Sequence, residues 1–452
     1  MHKKNKFKYK HYVHFDSRKN IKDYKCKVQN REWVSKHGFY PFMHYEIINP
    51  KKFSQHEPKK RKIYYSAHID RYIYQFYDNE LNNHYNKIAK KYGINKASIA
   101  YRNTFNGKCN IHFAKEVFDF ISSQEKAYIY IADFSNFFDE LNHSYLKAKI
   151  CDILECKRLP KEHYAIFKNI TNFTYVNKED ILKYKNITEK QYRLLDKIFD
   201  TSHEFQLFKK EGYLKKHKDT DNGKIQIGIP QGSSISAVYS NIYMVDFDKY
   251  INNYVTSNKG IYRRYCDDII IVIPIKEDDE YQIHMQKINS IKESIDNLNV
   301  TINDTKTSKF IYNNKEVLGI DNTDKNIIDY LGFSFDGKSV KIRDKSLFKY
   351  YRKMYRKADI ASKYTVKYDR KVFRKKLYKL YSHLGAKPRV KKLKGRKIEH
   401  GNFLTYAYKS YYVFGENNNY ENKIKSQVKN HWKLMHEQLK ESEIKYRNKY
   451  KK

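Results

Sequence analysis

The sequence is short of acids, of paired cysteines and of long apolar runs, and each shortage excludes a class of protein. Its five cysteines, Cys26, Cys109, Cys151, Cys156 and Cys266, form no CxxC pair, which excludes a zinc ribbon and a disulfide lattice. The thiols suit a reducing compartment. No apolar run approaches the ~20 residues of a membrane span, and the opening MHKKNKFKYK has no apolar core of a signal peptide. A cytoplasmic protein without a membrane partner is the expectation. Against 51 Asp+Glu stand 91 Lys+Arg, a net charge of +40. An AT-rich genome accounts for Lys over Arg but not for bases over acids. The surplus calls for a polyanionic partner. The 44 Tyr and 26 Phe interleaved with the bases point to nucleic acid, because aromatic faces stack on nucleobases while Lys and Arg hold phosphates. The plainer alternative is a solvated, lysine-rich surface.

What is present is enough chain, 452 residues, for two or three domains with sizeable cores. RKIYYSAHIDRYIYQFY (61–77) reads as a short strand followed by an amphipathic helix, and AYIYIAD (127–133) as an alternating strand ending in an acid. IGIPQGSSISAVYSNIYMVDFDKYI (227–251) runs from a Gly/Pro loop into one helix. YRRYCDDIIIVIP (262–274) is a hairpin with two acids at its turn, and IDYLGFSFDGKSVKIR (328–343) holds short strands with DG at a turn. Beyond about 345 the pattern is helical and very basic, with PRVKKLKGRK (388–397) as a loop between helices. These patterns predict an α+β architecture, a central antiparallel sheet with helices on one face and a helical tail.

Asp133 and the pair Asp267–Asp268 form the sharpest constellation. Burying acids at a strand end and a turn is costly unless something compensates their charge. Two such strands side by side bring the carboxylates together in a cluster that repels itself unless divalent cations occupy it. Hard oxygen ligands favour Mg2+, and two ions ~3.5–4 Å apart are the apparatus of in-line phosphoryl transfer. A DD pair standing alone reads as a turn.

Its company says more. In chain order, DFSNFFD (133–139), GIPQGSSISAVYSNIYM (228–244), YCDD (265–268), LNVTINDTKT (298–307) and YLGFSF (330–335) resemble motifs A to E of the reverse transcriptases. RKI (61–63) and IDR (69–71) resemble their basic fingers segments. The resemblance implies an RNA-directed DNA polymerase with a right-hand fold: a basic N-terminal extension (1–55), fingers and an antiparallel palm sheet (56–345), and a basic α-helical thumb or C-terminal domain (346–452). It implies Asp133 and Asp267 as the main ligands of two Mg2+ ions, with Mn2+ as the alternative, Asp268 as a less direct third carboxylate, and Lys306 as the acid that protonates pyrophosphate. Around an incoming dNTP it implies Arg61, Arg71, Gln231, Gly232, the backbone from Phe134 onward, and Phe138 as an aromatic gate against a 2′-OH. Leu331, Gly332 and Phe333 fall at the primer grip. The bland counterparts are a core ring for Phe138, a loop-to-helix start for PQG, and solvated bases for Lys306 and Arg61. Cys266 reads as packing under the primer terminus and not as a nucleophile.

Within the family, AYRNTFNGKCNIHFAKEVFDFI (100–121) resembles the YRxGKxNIxxAKExF pattern of the bacterial defence-associated enzymes, the abortive-infection and "unknown group" branches, with two extra residues before the glycine. The retron VTG is absent and PQG is intact, unlike the diversity-generating enzymes, and no RNase H or HNH pattern is found. This closer resemblance implies an antiphage role, homo-oligomers among its members, and in some members synthesis without a conventional template or primed from a protein hydroxyl. The basic stretch Lys387–Lys397 would follow the backbone of a template or noncoding RNA. A group II intron-like maturase is the first alternative. A non-catalytic nucleic-acid-binding protein on a polymerase fold is the second, and the intact Asp133, Gln231, Asp267 and Asp268 argue against it.

Overall fold

The computed structural model describes residues 12–49, 59–105, 107–217, 227–277, 280–295, 298–321, 323–386, 389–393, 396–416 and 419–450, with the backbone alone for 389–393 and 396–400. Five antiparallel strands form the central sheet, in the order Ile261–Tyr265, Asp268–Pro274, Lys126–Asp133, Ser308–Asn313, Glu316–Ile320. The register of its middle pair runs from Ala127 opposite Pro274 to Asp133 opposite Asp268. Tyr128, Tyr130, Ala132, Ile269, Ile271 and Ile273 enter one core, whereas Ala127, Ile129, Ile270 and Val272 enter another. The sheet is therefore covered on both faces, not one. A strand buried on both sides has no polar alternate positions, which is why IIIVI runs unbroken.

On the first face pack His68–Lys91 together with Ser234–Tyr243 and Val245–Ser257. These last two read as one helix in the sequence but break at Met244. On the second face lie Asn110–Ser122, Phe403–Phe414 and a sheet ordered Ile328–Tyr330, Phe333–Phe335, Ser339–Ile342, Glu421–Asn422.

A further sheet is ordered Lys59–Tyr65, Phe42–Asn49, Thr174–Asn177, Lys215–Lys216, with Phe42–Asn49 parallel to Thr174–Asn177. Phe42–Asn49 thus pairs with strands on either side of it in this sheet; of the predicted 1–55 segment, 1–11 and 50–55 lie outside the described residues. The Asp16 carboxylate accepts the backbone N–H groups of His68 at 3.0 Å and Ile69 at 3.1 Å, and lies 2.8 Å from Nδ1 of the His68 ring. Ala67, at the N-cap of His68–Lys91, has no side chain to serve, so Asp16 caps that helix from a distance and meets the positive end of its dipole.

In the C-terminal part, Asp344–Tyr368 packs on His431–Tyr450 through Met354, Ala358, Ala361, Met435 and Leu439. Arg389–Leu393 and Arg396–His400 pair as an antiparallel hairpin where the sequence predicts a loop. The side chains of the basic stretch Lys387–Lys397 lie outside the described residues. Among the described residues no helix is long and apolar enough to cross a membrane.

Candidate active site

Asp133 is the last residue of its strand and stands directly opposite Asp268, the first residue of the next. Tyr265 also pairs with Asp268, so Cys266 and Asp267 form a two-residue turn. Cys266 has φ +63°, the left-handed backbone that a tight hairpin demands and glycine usually supplies. Around this turn the Phe134 N–H donates to the Asp267 carbonyl at 3.2 Å and the Asn303 N–H to the Asp133 carbonyl at 2.8 Å. From the short turn Asp304–Lys306, Lys306 places its ammonium on the Asp133 carboxylate in a hydrogen-bonded ion pair.

The ladder thus gathers Asp133, Asp267, Asp268 and Lys306. Burial first, then the charge of Asp133, push Asp267 above the usual carboxylate range. Burial, with the charges of Asp267 and Asp133, pushes Asp268 up to about 6 against the pull of Lys306 and Arg343. Oxygen ligands crowded in a site short of positive charge fit a hard divalent cation. Among the described residues no three His, Cys, Asp or Glu side chains converge as a ready-made metal centre; Lys306 holds one of the carboxylates instead.

Among the residues expected around a nucleotide, Gln231 accepts the Tyr64 N–H through its carbonyl at 2.9 Å. A β-carbon on Gly232 would stand 2.4 Å from the Tyr64 carbonyl, so this glycine admits the strand Lys59–Tyr65. Phe138 is half-buried, 5.5 Å from Phe137 in an edge-to-face pair, and its carbonyl takes the Ile229 N–H at 2.8 Å. Three predicted contacts fall elsewhere. Phe134 is a core ring stacked on Phe137, because its side chain turns to the sheet face opposite the acids and its N–H is committed to Asp267. Arg71 lies against the Tyr12 hydroxyl, as its neighbourhood of Asp16 and Asp70 favours. Arg61 is exposed, on a strand position opposite Ile47.

The Leu331–Gly332 turn has φ +46° and +92°, the doubly positive pattern of a two-residue hairpin. Its carbonyls are held by the Asn110 side chain, at 2.9 Å to Leu331, and by the Arg343 N–H, at 3.0 Å to Gly332. With Asp268, Tyr265 and Ile131 they line a cleft of about 390 Å³. Phe333 is buried against Tyr406 and Phe414 and supports the turn from beneath, away from the cleft.

Sequence reasoning missed Asn110, Arg343 and, most of all, Arg264. Arg264 is a charge inside a palm strand, wholly buried and paired with the equally buried Asp248. The available signal was YRRY itself, where one of two arginines on successive strand positions has to face inward.

The family model described as "Reverse transcriptase (RNA-dependent DNA polymerase)" matches residues 50–335. No curated protein matches the chain. Among solved structures, apo telomerase from Candida tropicalis, truncated from its C-terminal domain, aligns at 13% identity and TM-score 0.43 over 71% of this chain and 59% of its own. Telomerase from Candida albicans with a TWJ fragment of telomeric RNA aligns at 15% identity and TM-score 0.37, over 71% and 51% respectively. The chain thus spans between half and three-fifths of the length of those structures. By the match over most of its length, which includes all three acids and their turn, the chain belongs to the reverse transcriptase (RNA-dependent DNA polymerase) family.

Proposed function

We propose that the chain extends a primer 3′ end from deoxynucleoside triphosphates on an RNA template, and does so in a bacterial antiphage system. The observation that carries the polymerase reading is the register that sets Asp133 opposite Asp268 with Asp267 on the adjoining turn. Asp133 and Asp267, with Asp268 beside them, would hold two Mg2+ ions (Mn2+ as the alternative), which when bound would supply positive charge for activating the primer hydroxyl and for the leaving pyrophosphate. Lys306, released from Asp133, delivers a proton to that pyrophosphate. Gln231 and Gly232 border the nucleotide, Phe138 excludes a 2′-OH, and the Leu331–Gly332 turn seats the primer strand on the Asp268 side. Lys345, Lys349, Arg352, Arg356, Lys363 and Lys367 are exposed along Asp344–Tyr368. Their spacing of three, four or seven residues makes one stripe, suited to a phosphate backbone in a contact that weakens with salt.

The defence reading rests on the 100–121 pattern and the helical tail. Purified protein with Mg2+ and labelled dNTPs, with and without an RNA template and DNA primer, tests the chemistry beside Asp267→Ala. Protease and nuclease treatment of the product tells a protein-attached DNA from a free one. In cells, Asp267→Ala abolishes phage protection; protection that survives it refutes the polymerase mechanism of defence. Strict dependence on added template and primer, with intron RNA flanking the gene, would favour the maturase reading.

A further inference from the structure

Arg264 spends all five of its N–H donors. Nε and Nη2 grip Asp248 at 2.7 and 2.6 Å, Nη2 also meets Ser98 Oγ at 3.2 Å, and Nη1 meets Asn241 Oδ1 at 3.3 Å and the Cys266 carbonyl at 3.0 Å. Tyr262 donates its hydroxyl to Asp248 at 2.7 Å. The strand itself is pinned, its Arg264 N–H donating to Ala97 at 2.8 Å and its carbonyl accepting from Ile99 at 3.0 Å.

A buried ion pair alone is weak evidence of anything but a paired charge, since desolvation offsets the attraction. The bond to Cys266 is the informative one. Cys266 occupies a backbone region that residues with a β-carbon adopt only when the surroundings enforce it, and Asp267 follows it directly. The carbonyl before Asp267 is fixed by Arg264, and the carbonyl after it by the Phe134 N–H at 3.2 Å. With both flanking peptide planes anchored, the direction in which the Asp267 side chain leaves the backbone is set.

We propose that Arg264 is a positioning residue which, through the Cys266 carbonyl, aims Asp267 at the divalent ion and the primer terminus, with Asp248, Asn241 and Ser98 holding its guanidinium in place. This rests on the polymerase reading above. Lysine can keep the charge next to Asp248, but one ammonium cannot reproduce the planar fork that also reaches Cys266.

The test is Arg264→Lys, compared with wild type and Asp267→Asn. The expected result is a folded protein with a lowered melting temperature, a kcat for nucleotide incorporation about 10–100-fold lower, an unchanged KM for dNTP and a higher Mn2+ requirement. Mn2+ binding to the protein alone, followed by loss of the free-ion EPR signal, weakens in parallel. Wild-type kcat and wild-type Mn2+ binding in a folded Arg264→Lys protein overturn the inference. Should that variant not fold, Ser98→Ala trims one bond and keeps the ion pair; it shows the same signature at smaller amplitude, and wild-type values there overturn the inference too. Wild-type protein that incorporates no nucleotide defeats the polymerase reading instead, while the Mn2+ measurement still reports on Arg264.

Discussion

The ammonium of Lys306 lies on the carboxylate of Asp133, 173 residues earlier in the chain. A site crowded with acid thus carries a cation of its own, on a side chain 43% exposed and free to swing toward solvent. Removing it has two opposite effects. Lys306→Met tightens Mn2+ binding in the absence of nucleotide, because Asp133 no longer has a competing partner. The same change lowers kcat by about 100-fold, the scale of a lost general acid. Parallel Mn2+ titrations and single-turnover rates check both arms.

Asp268 is held up to about 6, so its ionised form is disfavoured in the folded protein. Below the ordinary carboxylate range both folded and unfolded chains carry the proton and no penalty exists; above about 6 the penalty is complete. Asp268→Asn therefore stabilises the metal-free protein at pH 8, by on the order of 1 kcal/mol once the screening of an exposed side chain is allowed for, and does nothing at pH 2. Melting temperatures across that range decide it. Mg2+ stabilises the wild type more as pH rises through 6, since the ion binds the ionised form.

Gly232 has φ +124° and no room for a β-carbon beside the Tyr64 carbonyl. Gly232→Ala pushes the PQG loop off the strand Lys59–Tyr65 and breaks the Tyr64 to Gln231 hydrogen bond. The expected outcome is a loss of about 1–3 kcal/mol in urea unfolding and a raised KM for dNTP.

Phe138 supplies bulk at a half-buried position. Phe138→Ala raises ribonucleotide incorporation relative to deoxynucleotide by about 10-fold or more, with deoxynucleotide kcat little changed. If only stability falls, Phe138 is a core ring and the gate lies elsewhere.

Asp16 ties the N-terminal segment to the helix His68–Lys91. Asp16→Ala removes a cap worth about 1–2 kcal/mol and leaves two buried N–H groups unserved. Chemical denaturation should show at least that loss.

The palm was the most legible part of this fold. AYIYIAD and CDDIIIVIP carry their strand character and their acids in one short stretch each, and a single register brings Asp133 and Asp268 together. The turn at Leu331–Gly332 was not legible as a turn: the sequence pointed to DG at 336–337 and marked Leu331 and Gly332 only through the motif resemblance. What else escaped depends on partners distant in sequence. Asp16 caps a helix that starts 52 residues later, and the sequence around Ala67 gives no sign of it. Arg264 needs Asp248, Asn241 and Ser98 from other segments before its burial makes sense. Phe134 follows Asp133 directly, yet strand alternation turns its ring to the other face. The second covered face of the sheet was present in IIIVI, as a run too continuous for a strand with one wet side.

The strand Glu421–Asn422 closes the outer edge of Ser339–Ile342, the sheet that carries the Leu331–Gly332 turn. This gives the protein a schedule during its own synthesis. All three acids have been made by residue 268, but the sheet facing them waits for a strand that follows 153 residues later. A ribosome that stops short of Glu421 leaves a bare edge, which invites pairing with another chain. Completion of that sheet and cover for its outer edge therefore arrive together, well after the acids.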